Sequence, residues 1–249
     1  CGRLLHVDDR QRLQTWRGLL VGATVPDVGS MSLSEQRSFL MLLVQLLGKV
    51  ASADSSLQDG ADLLWSHPQI RSELIELFDV LTERIQHVSK QLHRPVDVPL
   101  QVHARYTRQE ILCACGVNAG VRERPWREGV YFAAGIHADL FVFTLDKTSG
   151  GFSPTTRYRD YAISRDLVHW ESQSGTRADS PTGQRYQDHA KEGSQILLFG
   201  RPTADDRAFH FLGPATYVTH KGEMPMAITW RLEHPLPGDL YQMYAAAVA

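Results

Sequence analysis

The sequence has one pair of acidic residues whose spacing suits metal chemistry: Asp160, followed by Glu171-Ser172-Gln173. Metal-dependent nucleases use an Asp and a Glu-x-Lys to hold a divalent cation between two carboxylates, and the Lys places the attacking water. Gln173 stands where that Lys would be. The pair acts only if adjacent strands bring both carboxylates into one cleft, and two separate surface carboxylates are the plainer expectation. Other catalytic signatures are missing. Gly48-Lys49 is followed by Val50, so no phosphate loop forms there, and no Gly-x-Ser-x-Gly elbow or His-Glu-x-x-His occurs. The 11 histidines are scattered without metal-ligand spacing. No catalytic residue, metal or cofactor is therefore expected in this chain.

The densest polar and aromatic stretch runs from Tyr158 to Tyr186. It holds Tyr158, Arg159, His169, Trp170, Gln173, Gln184, Arg185 and Tyr186. Trp and Tyr stack on bases, Gln pairs with an adenine edge, and Arg reads guanine or grips phosphate. A flipped or modified base held in a pocket would need this set, which makes these eight residues the candidates for nucleic-acid binding. The competing assignment places Trp170 and Tyr186 in the core, with polar neighbours at its rim.

These residues need a scaffold, and the hydrophobic periodicity supplies one. Over residues 1–95 the pattern is helical. Asp8-Asp9-Arg10-Gln11 offers a cap ahead of Leu13, Trp16, Leu19 and Leu20. Ser32-Leu33-Ser34-Glu35 is a capping box before Phe39, Leu42, Leu43, Leu46 and Leu47. Pro68 opens a further helix whose apolar stripe runs from Ile70 through Leu74, Phe78 and Leu81 to Val88. Arg94-Pro95-Val96-Asp97-Val98-Pro99 breaks the pattern and is read as the boundary between a helical region, 1–95, and a second domain, 96–249.

Thr107-Arg108-Gln109-Glu110 caps a short helix, and from Gly129 the sequence turns to strands. They are expected at 138–145, 157–163, 168–174, 194–199, 209–212 and 226–232. Ser180-Pro181 interrupts them with one helix start. The expected fold is α+β: a helical bundle, then a mainly antiparallel barrel or sandwich.

Composition narrows the partners. In 249 residues the formal net charge is -2, so the whole molecule is no electrostatic magnet for nucleic acid. The 26 basic residues are nevertheless mostly Arg, which suits bidentate phosphate and base contacts. The three cysteines, Cys1, Cys113 and Cys115, form neither a disulfide framework nor a zinc pattern, as expected in the cytoplasm. The longest apolar run, Phe39 to Val44, is too short to span a bilayer, so no membrane partner is expected. A chain opening on Cys1 is expected to be part of a longer protein.

Several long segments resemble one family. Ser153 to Ser164, His169 to Ser174, Ser180 to Tyr186, Phe211 to Pro214 and Met224 to Leu232 resemble an uncharacterised C-terminal domain of bacterial DEAD/DEAH-box (superfamily II) helicases. Many of those helicases also carry an N-terminal phospholipase-D-like nuclease domain. The resemblance is close over 98–249, while Asp8 to Leu20 and His67 to Leu92 are similar to the linker after the motor. It implies a non-catalytic accessory module that binds DNA for an upstream motor of the same parent chain, in a setting of defence against foreign DNA. No catalytic residue carries over, because the family's motor and nuclease motifs lie outside this sequence. Two alternatives stand beside it: a scaffold docking on the helicase core, and a cryptic metal-dependent nuclease using Asp160 and Glu171.

Overall fold

The computed structural model describes residues 2–95, 97–145 and 160–245. Its contacts separate into two compact units, Cys1–Arg127 and Glu128–Ala249. The architecture is α+β with an N-terminal helical region, as the patterning implies. Among the described residues no helix is long and apolar enough to cross a membrane.

The first unit holds α1 (Arg10–Leu20), α2 (Leu33–Leu47), α3 (Leu57–Trp65) and α4 (Pro68–Arg84). A two-stranded antiparallel ribbon of β1 (Lys90–Gln91) and β2 (Gln101–Val102) follows, then β3 (Arg105–Thr107) and α5 (Arg108–Ala114). The capping boxes at Ser32/Glu35 and Thr107/Glu110 form as read. Helix α1 starts one residue later than its sequence cue, because the Asp9 carboxylate accepts from the Arg12 amide at 3.1 Å. Helix α3 was not anticipated; its capping box is Ser56 with Asp59. The α4 stripe is narrower than expected: Leu74, Phe78 and Leu81 are buried, whereas Ile70 and Val88 are exposed.

Trp16, Phe39 and Phe78 build the core of this unit, and the Trp16 indole donates to the Ser38 carbonyl at 2.8 Å. Beside that core lies a buried charged network. The Arg12 guanidinium lies 4.2 Å from the centre of the Tyr106 ring and donates to Glu110 at 3.0 Å and to the Arg105 carbonyl at 2.9 Å. Glu110 also accepts from the Thr107 amide at 2.8 Å and meets His6 Nε2 at 2.7 Å, while the Tyr106 hydroxyl donates to Asp9. Burial alone would push the Glu110 carboxyl up. The opposing charges of His6 and Arg12, with the hydrogen bonds, more than offset that and leave it at about 2.

The second unit contains β4 (Val130–Ala133), β5 (Ala138–Thr144), β6 (Tyr161–Ala162), β7 (Leu167–Glu171), α6 (Pro181–Asp188), β8 (Gln195–Arg201), β9 (Ala208–Lys221), β10 (Ala227–Leu232) and α7 (Gly238–Ala245). Its strands lie in the order β4-β5-β8-β9-β10-β7-β6. Five of these neighbouring pairs are antiparallel, but β5 and β8 run parallel. The sheet is mixed, mostly antiparallel as the patterning implies, and does not close into a barrel, one of the two forms, barrel or sandwich, expected from the sequence. The reason is topological: a parallel pair needs a long crossover, and here the connection carries β6, β7 and α6 before β8 returns beside β5. Irregular register at Leu198/Phe199 and Thr229/Trp230 bends the long β9, with Gly213 at φ 103° in the first of these irregularities.

One face of this sheet is a dry aromatic core. Phe141 stacks on Trp170 with centroids 4.4 Å apart, and Trp230 and Tyr186 meet the Phe141 ring edge-on. Helices α6 and α7 contribute Tyr186 and Tyr244 to this layer. Strand alternation sends Leu167, His169 and Glu171 of β7 to the opposite face.

Candidate nucleic-acid interface

Each candidate residue can now be placed, apart from Tyr158 and Arg159, which lie outside the described residues. Trp170 and Tyr186 are 4% and 2% exposed, and their rings pack against Phe141 and against each other. Neither offers a face to a base. Burial pushes the Tyr186 hydroxyl well above its ordinary range, and it stays protonated. His169 lies on the other face, stacked on Tyr161 at 4.8 Å with its Nε2 3.9 Å from a Glu171 oxygen. Gln173 and Gln184 are exposed, one after β7 and one on α6. The six described candidates therefore do not gather into one pocket.

Arg185 has a different task. Ser180 caps α6 by accepting from the Gly183 amide at 3.1 Å, which fixes where the helix begins. From there Arg185 closes two bonds of 2.8 Å on Asp139, whose side chain is fully buried in β5. Hydrogen bonding to Asp139 raises the Arg185 pKa against the partial burial that would lower it. A bidentate guanidinium facing a buried carboxylate is a neutralising partner, and its fork is not available to phosphate. Gly183 is required at the start of α6, since a Cβ there would lie 2.1 Å from the Arg177 carbonyl oxygen.

The pair proposed for metal chemistry is divided. Asp160 is buried and accepts from the Glu171 amide at 3.1 Å, while the Glu171 side chain stands on the outer face beside His169. Among the described residues no three His, Cys, Asp or Glu side chains form a group that could hold a metal. Cys113 and Cys115 are buried, and burial raises both thiols, that of Cys115 to about 12, so neither is a nucleophile.

A basic surface that the sequence pattern did not flag lies in the first unit, on the segment after α5. Val121 and Trp126 turn inward at 1% and 7% exposure, and Arg122, Arg124 and Arg127 are exposed between and beyond them. The backbone of this loop is clamped at several points. Asn118 donates to the Arg122 carbonyl at 3.0 Å, and Gln109 donates to the Arg124 carbonyl and accepts from its amide at 2.8 and 2.9 Å. Arg108 donates to the Trp126 carbonyl at 2.8 Å, and the Glu123 amide donates to the Gly48 carbonyl at 2.9 Å. The acids of residues 105–127 are both matched: Glu123 pairs with Arg3, and Glu110 lies in the buried network. The signal was present in the sequence as Arg-x-Arg-x-x-Arg, but it sits between regular elements where periodicity says nothing.

A polar cleft of about 430 Å³ in the same unit is lined in part by Asp9, Arg12, Ser34, Glu35, Asp97 and Gln101. Its three carboxylates, with Arg12 committed to Glu110, make it a poor host for phosphate.

A helical unit with a clamped arginine loop and a mixed-sheet unit, with no metal-holding cluster among the described residues, define the class: an α+β module. Residues 100–244, more than half of the chain, match the model of a domain of unknown function, DUF3427, and the chain belongs to that family. No curated protein matches it. Among solved structures, Arabidopsis thaliana SUVH6 in complex with SAM is 10% identical at a TM-score of 0.37, over 92% of this chain and 40% of that one. KRYPTONITE in complex with mCHG DNA and SAH is 10% identical at a TM-score of 0.40, over 82% of this chain and 44% of the other. KRYPTONITE with mCHH DNA, an H3(1-15) peptide and SAH is 11% identical at 0.39, over 82% and 43%. The chain thus spans less than half the length of each, and likeness at this level carries no inference about what it binds.

Proposed function

We propose that this chain is a non-catalytic accessory module that binds DNA through the phosphate backbone, for a superfamily II helicase motor carried elsewhere in a longer cytoplasmic protein. The observation that carries the DNA reading is the arginine loop. Between residues 105 and 127 there are five arginines and two acids, and both acids are paired with basic residues. Arg122, Arg124 and Arg127 are exposed on a backbone that is already hydrogen-bonded. Arg122 and Arg124 each also donate to a backbone carbonyl, so little conformational freedom is lost when a polyanion docks. Guanidinium groups held in this way suit bidentate phosphate contact. The motor and the setting in defence rest on the resemblance of residues 98–249 to helicase tails. The base-pocket version of the reading has less support, because Trp170 and Tyr186 are packed inside and Arg185 is committed to Asp139.

Salt dependence tests the reading. Binding of the whole chain to a labelled duplex should weaken as salt rises, with log K linear in log of salt concentration. Replacing Arg122, Arg124 and Arg127 by Ala should flatten that slope by about one unit for each phosphate that is no longer neutralised. Unchanged slope and affinity in the triple variant would remove the loop from the interface. No binding by the wild type at low salt would favour the scaffold reading, in which the polar signature serves folding as Arg185 and Asp139 do.

A further inference from the structure

The outer face of the β6-β7-β10-β9 portion of the sheet is organised differently from the core face behind it. Cross-strand register places Tyr161 opposite His169, His169 opposite Thr229, and Thr229 opposite Thr219. These four residues form one row across four strands. Lys221, opposite Ala227, stands on one side of it, and Arg231, opposite Thr216, on the other. Tyr161, His169 and Thr229 are half-buried, whereas Thr219, Lys221, Arg231 and Thr216 are exposed. The Arg231 side chain is 56% exposed and lies 3.9 Å from Asp166, itself 49% exposed, so this contact leaves the guanidinium largely in water.

We infer that this row is a stacking platform for unpaired bases of a DNA strand, with Lys221 and Arg231 flanking it to meet the phosphates; the inference rests on the DNA-binding reading above. The chemistry of the row favours this occupant. The Tyr161–His169 pair is stacked at 4.8 Å with an interplanar angle of 28°, an aromatic step on which a further ring can continue the stack. Threonine hydroxyls along the same row can donate or accept, as bases and sugars require. Lys221 and Arg231 give each flank an exposed cation for a backbone crossing the strands, although each flank also carries an acid, Glu171 in the Lys221 row and Asp166 near Arg231. A paired base presents only its edge, so the platform selects unpaired nucleotides over duplex. The strand alternation that buries Trp170 puts His169 outside, so of these two adjacent candidates it is His169 that is left to meet a base.

The test compares a labelled oligo-dT with a duplex of equal length, titrated with the whole chain. The wild type should prefer the single strand. Tyr161→Ala should weaken single-strand binding about tenfold and leave duplex binding within about twofold, because one base–aromatic stack is removed. Tyr161→Phe should keep the wild-type affinity, and His169→Ala should weaken the single strand as Tyr161→Ala does. Single-strand affinity unchanged in both alanine variants, with duplex still bound through Arg122 and Arg124, would overturn the platform and spare the DNA reading. Absence of binding to either nucleic acid by the wild type would overturn both. Equal loss on single strand and duplex in Tyr161→Ala also counts against the platform, since it marks a general effect.

Discussion

Beside the core of the first unit a guanidinium is held between a carboxylate and a tyrosine ring; in the core of the second, Phe141, Trp170, Tyr186 and Trp230 close on one another without a charge among them. The two centres depend on different physics. The aromatic layer is held by apolar area removed from water, which tolerates moderate losses of shape. The charged network has already met a large desolvation cost, and it holds only while every partner is present. One unit should therefore fail gradually and the other abruptly. Polar residues join segments far apart in sequence in both units, Arg12 to Glu110 in the first and Arg185 to Asp139 in the second; in the second they also line the face turned away from the core.

The largest effect should come from Arg12→Met, which keeps much of the volume and removes the charge. Glu110 and Asp9 would be left buried without their main cation, at a cost of about 5 kcal/mol, read by urea denaturation of the whole chain. A cost below about 1 kcal/mol would show that volume, not charge, holds this centre. Trp170→Ala should cost about 4 kcal/mol in the second unit by loss of a stacked, buried ring.

Acid separates the units next. The folded pKa of Glu110 lies below its ordinary 4.5, so its contribution is complete above about 4.5 and drains as pH falls toward about 2. The loss over that window is on the order of 3 kcal/mol. Probes of Trp16 should report it between about pH 4.5 and 2. Trp230 packs on the buried His189, whose pKa burial lowers, and should respond to acid from about 6.5 downward. A Trp16 signal unchanged over its window would argue against the network. The smallest effects belong to Gln173→Ala and Gln184→Ala. Both side chains are exposed, and each change should stay within about 0.5 kcal/mol.

What could be read from the sequence was local. Ser32/Glu35, Thr107/Glu110 and Ser180 announced helix starts because a cap and its amide lie within one turn. The apolar run of 138–145 announced β5 in the same way. Faces of strands were less legible. Trp170 and His169 are adjacent, and only pairing with β10 decides which one meets the core. The charged network was invisible, since Arg12 and Glu110 are brought together by the folding of a whole unit. The sequence did suggest a mainly antiparallel sheet, as a barrel or a sandwich. Five of the six neighbouring pairs are antiparallel, and the parallel β5–β8 pair was not legible because its crossover carries two strands and a helix. Among the described candidate site residues, only His169 falls on the outer row inferred to bind bases. The arginine loop was missed because neither helical nor strand period applies there.

Ser172 fixes the end of β7 by two bonds to one residue: its amide donates to the Met226 carbonyl and its hydroxyl accepts from the Met226 amide, each at 2.9 Å. That double clamp has an evolutionary consequence. A one-residue insertion or deletion between Trp170 and the clamped Ser172 would exchange the two faces of β7, carrying Trp170 into water and His169 into the core. Substitution on the outer row is open to drift one position at a time, whereas change of length is closed. The surface can acquire new specificities only by changing side chains within a fixed frame.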